Sequence, residues 1–348
     1  MKLREIAAKT GVSLTTVSLV LNGKPGVSPE KRSKIAQLLR ENGYQLRSLD
    51  SSADASVKNI HFFKYSDHSY LVNGNPGFVT QIIDSVDQEC RKHGYNLLIT
   101  AFNDFNSIRL DELLNKGATQ GVILLGTEIR DTDMSVFSTC TKPIVVVDNS
   151  LPQLPFNIVT MHNEDAVFSS VKHLLELGHR HIGFLANSIP ANNDLERQAA
   201  FQNALQAYGH SFEPDLVFPI FPTMDGAKES VSQLLAQRTR FPSALVANND
   251  SIAIGALRAF KNHGLSIPQD ISIVGFDGLP FTAVSEPPLT TVTVSCNDIG
   301  RWAVNILHDQ IQGRSTSPCK VRICTKLTVR ESTAAYHPPR QHPLLLPE

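Results

Sequence analysis

Four polar side chains directly follow short apolar runs in the sequence. Asp148 comes after IVVV, Asn249 and Asp250 come just after ALVA, and Asp277 comes after ISIVGF. A single aspartate in such a place usually forms a turn or caps a helix, and we expect Asp250 to cap the helix that follows it. Carboxylate and amide groups can also accept hydrogen bonds from the hydroxyl groups of a ligand. Three strand ends with the same chemistry favour a ligand site.

The sequence lacks the residue patterns of common catalytic centres. It has no Ser-His-Asp order with a nucleophile elbow, no glycine-rich phosphate loop and no His or Cys spacing typical of a metal site. Its 12 histidines are scattered along the chain. We therefore expect no enzyme activity, no cofactor and no metal.

The N-terminal stretch is the second place where residue types and spacing indicate a function. Residues 3–22 read LREIAAKTGVSLTTVSLVLN, which predicts two short helices joined by a turn at Gly11. Ser13 is a good N-cap for the second helix. The cap leaves five side chains on the first turns of that helix: Leu14, Thr15, Thr16, Ser18 and Leu19.

A third helix is predicted after Ser28 and Pro29, which supply an N-cap and a proline at the first helical position, and it ends at Asn42-Gly43. The apolar residues of the three helices fall at helical spacing, so one side of each helix is expected to be buried: Ile6, Ala7, Val12, Val17, Val20, Leu21, Ile35, Leu38 and Leu39. Three short helices around one small core, with the second aimed outward, form a helix-turn-helix. Its second helix can enter a DNA major groove.

Charge is divided unevenly along the chain and supports contact between this headpiece and DNA. Residues 1–47 hold nine Lys or Arg against three Glu, a net charge of +6, and the other residues hold 23 against 30, a net charge of −7. A basic headpiece attracts phosphates, whereas an acidic body gives DNA little reason to touch it. A small helical bundle with solvated lysines is the alternative.

Length and composition are those of an ordinary globular protein. With 348 residues and 41% hydrophobic content, the chain is long enough for two or three domains. No apolar run reaches about 18 residues, and an amphipathic helix stands where a signal peptide would, so we expect a cytoplasmic protein. Five cysteines without a Cys-x-x-Cys pair agree with a reducing compartment.

From residue 59 onward, short apolar runs alternate with amphipathic helical segments. This order predicts parallel sheets covered by helices on both faces. The stretch is too long for one compact open sheet and its pattern restarts near residue 160, so we expect two similar α/β lobes. Ligands of such sheets bind at the carboxyl ends of the strands, and two facing lobes form a cleft there. Asp148, Asn249 and Asp277 are therefore expected at that cleft.

Seven segments in the same order carry a resemblance to a known family: LREIAAKTGVSLTTVSLVLNG, GVSPEKRSKIAQLLRENGY, LGHRHIGFLA, ERQAAFQNAL, ALVANNDSIAIGALRAF, ISIVGFDG and PPLTTV. Over residues 2–335 the chain resembles the lactose-repressor (LacI/GalR) family of transcriptional regulators. The resemblance implies an N-terminal all-α helix-turn-helix headpiece and an α/β core of two similar parallel-sheet lobes, like a type I periplasmic binding protein. It also implies a homodimer on double-stranded, pseudo-palindromic operator DNA, with a tetramer left open.

The predicted boundaries follow from this likeness and from composition. The helix-turn-helix domain is expected at 1–47, a hinge rich in Ser, Ala and Asp at 48–58, and the effector-binding and dimerisation core at 59–336. Within the core, the N-lobe is expected at about 59–160 and 295–324, and the C-lobe at about 161–292 and 325–336. Residues 337–348 have four prolines and no apolar period, which predicts a disordered tail.

The resemblance also assigns DNA contacts to individual residues. Contacts to base edges are expected from Leu14, Thr15 and Leu19. Contacts to phosphates, which position the helix without reading the sequence, are expected from Lys2, Leu3, Ser13, Thr16, Ser18 and Asn22.

Two positions depart from the family pattern. Many relatives have Arg or another polar residue where this chain has Leu19, and a bidentate Arg contact to guanine gives about 1–3 kcal/mol of discrimination. We therefore expect an operator unlike the commonest family half-site, read through thymine methyl groups and the Thr15 hydroxyl. Relatives also insert a hinge leucine into the minor groove, but here the matching Leu49 comes unusually soon after Tyr44. Either Leu49 is the wedge of a displaced hinge, or this protein bends DNA less.

In the core, the resemblance implies an effector site. Arg197, Asn249 and Asp277 match family residues that hydrogen-bond the effector, while Asp148 and Phe221 match positions that line the same cleft. The set suits a polyol, because Asp and Asn accept from hydroxyl groups, Arg donates, and an aromatic face packs against a sugar ring. A solvated helix arginine in a surface salt bridge is the alternative for Arg197. We expect a sugar or sugar derivative, of open identity and either inducing or corepressing.

The sequence thus predicts a DNA-binding transcriptional regulator, a repressor by its likeness, that a small effector controls from between the two lobes. Bound to its operator, the protein would be associated with the bacterial nucleoid. Two alternatives stay open. A free sugar-binding protein of a transporter would fit the core, but neither the basic headpiece nor the lack of a signal peptide fits it. A second kind of regulator would take its signal from a partner protein that docks on the core.

Overall fold

The computed structural model describes residues 2–22, 24, 26–44, 58–67, 70–104, 119–137, 140–237, 240–337 and 344–346. The chain divides into two compact units, Met1–Lys58 and Asn59–Glu348. Of the predicted hinge at 48–58, only the last residue is among those described. No helix within the described ranges is both long enough and apolar enough to cross a lipid bilayer.

The N-terminal unit contains three helices, α1 (Leu3–Thr10), α2 (Leu14–Leu21) and α3 (Pro29–Glu41). They bury one small core, formed by Ile6, Ala7, Val17, Val20, Ile35 and Leu39. Gly11 ends α1 with φ of 64°, a left-handed conformation that glycine adopts without steric cost. The predicted three-helix headpiece is therefore confirmed.

The N-lobe of the core is built on a six-stranded sheet, in the order β11-β5-β4-β3-β1-β2, with all neighbours parallel. Its strands are β1 (Asn59–Tyr65), β2 (Asn96–Phe102), β3 (Thr119–Leu125), β4 (Ile144–Val147), β5 (Asn157–Met161) and β11 (Lys320–Ile323). Two helices of this lobe, α4 (Pro76–Lys92) and α9 (Cys296–Ile311), pack closely because Gly300 carries no side chain. A Cβ at Gly300 would lie only 2.5 Å from the hydroxyl oxygen of Ser85 on α4.

The C-lobe repeats this design with a second six-stranded sheet, in the order β12-β10-β9-β8-β6-β7. Its strands are β6 (Ile182–Asn187), β7 (Val217–Ile220), β8 (Ala244–Ala247), β9 (Ser272–Asp277), β10 (Thr290–Thr293) and β12 (Lys326–Thr328). The helices are α5 (Asn163–Glu176), α6 (Asn192–Ala207), α7 (Met224–Ala236) and α8 (Asp250–Asn262). Only β12 runs antiparallel to its neighbour. The prediction of two parallel-sheet lobes is confirmed.

The chain crosses between the lobes three times: after β5, after β10 and after β11. Each crossing joins the same ends of the two sheets, so the carboxyl ends of the strands face a shared cleft. Asp148 follows β4 and Asp277 ends β9, so the fold brings polar side chains from both lobes to that cleft.

The prediction of a disordered tail was wrong for residues 344–346. The backbone N–H of Phe241 donates to the Leu344 carbonyl at 2.9 Å, and the N–H of Leu346 donates to the Phe241 carbonyl at the same distance. The Leu345 side chain is buried in the C-lobe core. The three leucines at 344–346 pack against the hydrophobic core of the C-lobe. The prolines around them suggested a disordered segment, and the sequence alone does not show this contact. The other residues beyond 337 lie outside the described ranges.

Candidate functional site

The second helix of the headpiece begins at the residue that the sequence predicts. The Ser13 hydroxyl oxygen accepts a hydrogen bond from the Thr16 backbone N–H at 3.1 Å, so Ser13 is the N-cap of α2. At the other end, the Asn22 side-chain amide donates to the Ser18 carbonyl at 2.9 Å. Several polar side chains assigned to phosphate contact therefore also fix the ends of the helix.

The two sides of α2 differ sharply in exposure. Val17 and Val20 are buried in the headpiece core, whereas Leu14 is 42% exposed and Thr15 is also exposed at the start of the helix. Leu19 is half-buried. Leu14 is therefore accessible on the side of α2 that faces away from the headpiece core.

The other predicted DNA contacts lie around this helix or outside the described residues. The Lys2 backbone N–H donates to the Glu5 carboxylate at 3.1 Å, and the Lys2 side chain is exposed. Leu3 packs against the headpiece core and is only half-buried. Leu49 lies outside the described residues, so its expected role in the minor groove remains a prediction.

In the core, Asp148 links the two lobes. One carboxylate oxygen accepts a hydrogen bond from the Thr127 hydroxyl at 2.5 Å, within the N-lobe. The other accepts from the side-chain amide of Asn193, on α6 of the C-lobe, at 3.0 Å. Asp148 is 3% exposed and has φ of 62°, in the left-handed region that few residues other than glycine adopt.

Asp277 makes the corresponding link from the C-lobe. Its carboxylate accepts a hydrogen bond from the side-chain amide of Asn75 at 2.8 Å. Asn75 directly precedes α4 of the N-lobe but makes no side-chain bond to cap that helix, because its amide points across the cleft. Asp277 is also buried and also has a positive φ, of 114°. Both aspartates therefore hold the lobes together from strained backbone positions.

Arg197 lies at the centre of the same region. Its Nε donates to the Asn163 side chain at 2.9 Å, and its Nη1 donates to the Asn248 carbonyl at 2.7 Å. The guanidinium carbon stands 3.7 Å from the centre of the Phe276 ring, which is a cation–π contact. Arg197 is only 5% exposed, so the solvated surface arginine considered above was wrong.

Asn249 caps α8, which is the role that was predicted for Asp250. The Asn249 side-chain oxygen accepts the Ile252 backbone N–H at 2.8 Å and caps α8, so the prediction that Asp250 caps this helix was wrong. Asp250 instead accepts from the Thr291 hydroxyl at 2.6 Å and from the Leu279 N–H at 2.8 Å. Being fully buried, it fixes the backbone that carries Asp277.

Phe221 stands at the edge of the cleft and contacts an aromatic residue of the other lobe. Its ring centre lies 5.0 Å from that of Tyr70, in an edge-to-face arrangement. The aromatic ring predicted to pack against a sugar therefore already contacts Tyr70 in this arrangement of the lobes. Tyr70 itself is 44% exposed.

Burial changes the acidity of the three aspartates. Loss of solvent raises the pKa of Asp148 to about 6, although the Thr127 hydrogen bond opposes the shift. Burial likewise raises the pKa of Asp277 to about 7, against the effect of the nearby Arg197 cation. The pKa of Asp250 also lies well above its usual range, through burial and the neighbouring Asp277 carboxylate. Such shifts are common where a site is built to bind.

Several residues of this polar cluster were not predicted. We define the polar cluster as Asn75, Asp148, Asn163, Asn193, Asp194, Arg197, Asn248 and Asp277. The sequence did hold a signal for three of the unpredicted members, since NND follows both β6 and β8, and each run starts a helix at the cleft. Asn75 has no such signal, because its partner is 202 positions away. Within the described residues, no three His, Cys, Asp or Glu side chains converge to hold a metal ion.

Two protein-family models match the chain, one in the headpiece and one in the core. Residues 2–46 match the model of bacterial regulatory proteins of the lacI family. Residues 171–333 match the periplasmic binding protein-like domain. The first match covers the three-helix headpiece and the second covers most of the C-lobe.

Similar proteins match along nearly the whole chain. The transcriptional repressor PurR of Pasteurella multocida is 28% identical over 337 residues, covering 95% of this chain and 98% of its own length. The transcriptional regulator DegA of Bacillus subtilis is 26% identical over 335 residues, covering 95% and 97%.

Two solved structures share the fold across both parts. The lac repressor dimer bound to operator and the anti-inducer ONPF has a TM-score of 0.73 and 25% identity, covering 96% of this chain and 99% of that one. The complex of the transcriptional regulator CelR with cellobiose has a TM-score of 0.71 and 26% identity, covering 95% and 99%.

A helix-turn-helix headpiece joined to a two-lobed core with a buried polar cleft defines the class of DNA-binding transcriptional regulators with an effector domain. The chain belongs to the lactose-repressor (LacI/GalR) family of that class.

Proposed function

We propose that this protein is a repressor whose affinity for its operator is set by a small carbohydrate bound in the polar cluster between the two lobes. The observation that carries the proposal is the cluster itself, which is buried, joins both lobes and holds more hydrogen-bond acceptors than donors. Names of relatives agree with both halves of the proposal, since PurR is described as a repressor and CelR was solved with cellobiose.

The excess of acceptors favours a ligand rich in hydroxyl groups. The side-chain oxygens of Asn75 and Asn248 are buried and have no hydrogen-bond partner among the described residues. The carboxylates of Asp148 and Asp277 add further acceptors, whereas Arg197 is the one cation of the cluster. Each hydroxyl of a sugar can donate to such an oxygen and still accept from Arg197. Unsatisfied buried oxygens cost about 1–3 kcal/mol each, which a donating ligand would recover.

Control of DNA binding would follow from the bonds that hold the lobes closed. Asn75 to Asp277 and Asn193 to Asp148 both cross the cleft and both involve a residue of the proposed effector site. A ligand that bonds to these aspartates competes with or reinforces the bonds, so it binds the two lobe arrangements with different affinity. The difference in affinity is the free energy available to change operator binding. Both induction and corepression are compatible with this proposal.

On the DNA side, we propose that α2 enters the major groove with Leu14, Thr15 and Leu19 toward the bases. The phosphate contacts are proposed for Lys2, Leu3, Ser13, Thr16, Ser18 and Asn22. A homodimer would present two such helices to the halves of a near-palindrome. Leu49 stays the candidate for the hinge wedge.

A thermal-shift experiment across a sugar panel tests the effector proposal. A ligand that binds only the folded state raises the melting temperature, so at least one sugar should stabilise the full-length protein. The shift should fall strongly in Asp277→Asn and persist in Asp84→Asn, since Asp84 is exposed on α4. If no sugar shifts the melting temperature at millimolar concentration, the carbohydrate proposal is wrong and control by a partner protein becomes the better hypothesis.

A further inference from the structure

A cavity opens between the lobes, outside the polar cluster. It has a volume of about 300 Å³ and lies where Tyr70 and Leu71 of the N-lobe face the segment Ile189–Leu195 of the C-lobe. None of the five residues predicted to bind the effector lines it. We call it the outer cavity.

The outer cavity adjoins the polar cluster through one pair of asparagines. Asn192, which lines the cavity, donates from its side-chain amide to the Asn149 side-chain oxygen at 3.1 Å. Asp148 directly precedes Asn149, and Asn193 directly follows Asn192. Asp148 and Asn193 both belong to the polar cluster and are hydrogen-bonded to each other. The Asn149–Asn192 hydrogen bond therefore lies between the outer cavity and the polar cluster. A ligand that reached from one to the other would replace it.

The walls of the outer cavity are mainly apolar. Seven of its eleven lining residues are aliphatic or aromatic: Tyr70, Leu71, Ile129, Ile189, Pro190, Ala191 and Leu195. Tyr70 and Leu195 remain 44% and 52% exposed, which leaves apolar surface available for burial. Pockets of this kind bind ring systems through their apolar walls, with a few polar groups to orient them.

The charged groups at the rim are already engaged with the protein. Arg130 pairs with Asp67 at 3.2 Å, and the Glu128 carboxylate accepts the backbone N–H groups of Leu71 and Val72 at 3.2 and 3.0 Å. A charged ligand group would have to compete with these contacts. An uncharged ring would leave them intact and would pack against Tyr70.

We propose that the outer cavity binds an uncharged aromatic substituent of the effector, whose sugar ring lies in the polar cluster. The natural effector would then be an aryl glycoside and not a free sugar. This inference rests on the carbohydrate effector proposed above, and it adds the chemistry of the group attached to the sugar.

Matched pairs of glycosides test the inference. Methyl and phenyl β-D-glucosides, and the same pair for galactose and xylose, would be titrated calorimetrically into the full-length protein. Burial of a phenyl ring should make the phenyl glycoside of the recognised sugar bind at least about tenfold more tightly than its methyl counterpart. In Leu195→Glu, which places a carboxylate in the apolar wall, that ratio should fall to about one to three.

Asn203→Glu is the control, because it adds the same charge to an exposed position eight residues further along α6. It should keep the tenfold ratio. Equal affinity for the methyl and phenyl glycosides of a sugar that binds would overturn the inference and leave the carbohydrate proposal intact. A ratio that survives Leu195→Glu would also overturn it. If no glycoside bound at all, both the inference and the carbohydrate proposal would fail.

Discussion

Asp148 and Asp277 each combine two features that cost free energy. Their backbones lie at positive φ, which costs on the order of 1–3 kcal/mol for a residue with a side chain, and their carboxyl groups are buried. The amides of Asn193 and Asn75, each from the opposite lobe, offset part of the burial. Residues kept in such unfavourable states at a cleft are better explained by ligand binding than by stability.

Stability should depend on pH through these carboxyl groups. Burial raises the pKa of Asp277 from 3.8 in a solvated chain to about 7 in the folded protein. Between these values the folded chain binds more protons than the unfolded chain, so stability falls as the pH rises. Between pH 5 and pH 8, the free energy of unfolding of the native protein should fall. The corresponding fall for Asp277→Asn should be smaller by about 2 kcal/mol.

Urea unfolding of the full-length protein at several pH values, following the transition of the core, would measure this difference. The exposed residue Asp84 supplies the control, because Asp84→Asn should lose as much stability as the native protein over the same range. Parallel pH curves for the native protein and Asp277→Asn would contradict the raised pKa of Asp277.

The base preference at one position of the operator should depend on the side chain at position 19 of α2. Leu19 cannot form the paired hydrogen bonds that an arginine makes with guanine, so the native protein should show no strong guanine requirement at the base pair it faces. Leu19→Arg should create such a requirement, worth about 1–3 kcal/mol. Selection of bound duplexes from a random pool would show both. A strong guanine requirement in the native protein would contradict the prediction.

At the scale of elements, the sequence predicted those helices and strands whose formation depends on nearby residues, such as an apolar run or a helix stop signal. The IVVV and ALVA runs form β4 and β8, and α3 ends at Glu41, directly before the stop signal predicted at Asn42-Gly43. The strands β5 and β7 carry no such clear signal in their local sequence. Asn157 in β5 is a buried polar residue that gains its partner, the Cys319 N–H at 2.9 Å, only in the folded chain. Pro219 in β7 is tolerated because β7 is an edge strand.

The residues of the candidate site could likewise be predicted only where the local sequence marks them. Asp148 and Asp277 could be found because each ends a strand that the sequence marks. The function of Asn75 could not be found, because its contact joins residues that are distant in sequence and depends on how the lobes meet. Asp250 was misassigned because the first turn of α8 leaves it facing Thr291 of a neighbouring strand and not the end of its own helix.

The cap of α2 should matter for both stability and DNA binding. Ser13→Ala removes the acceptor of the Thr16 N–H, which should cost the helix about 1 kcal/mol. Amide hydrogen exchange within α2 should accelerate about fivefold, and operator affinity should fall because the helix frays at the end proposed to contact DNA. Ser33→Ala is the matched control, since Ser33 is exposed on α3 and caps no helix. Unchanged exchange in Ser13→Ala would show that the cap does not stabilise α2.

At the scale of the whole molecule, the chain joins two units of opposite charge. The net charge of +6 on residues 1–47 is attracted to DNA phosphates, and the net charge of −7 on the remainder is not. The headpiece and the two-lobed core are separate compact units, each with its own hydrophobic core. The free energy that can couple ligand binding to DNA affinity is limited to the difference in ligand affinity between the two lobe arrangements.

Binding of the full-length protein to near-palindromic duplexes selected from a random pool tests the central claim most directly. Affinity should fall steeply as salt rises, because phosphate contacts release counterions. Leu14→Glu, which places a carboxylate on the exposed face of α2, should weaken binding at least about tenfold, whereas Gln37→Glu on the exposed face of α3 should change it little. If the native protein bound no duplex at low salt, with or without candidate sugars, or if Leu14→Glu bound as well as the native protein, α2 would not be the DNA-reading helix.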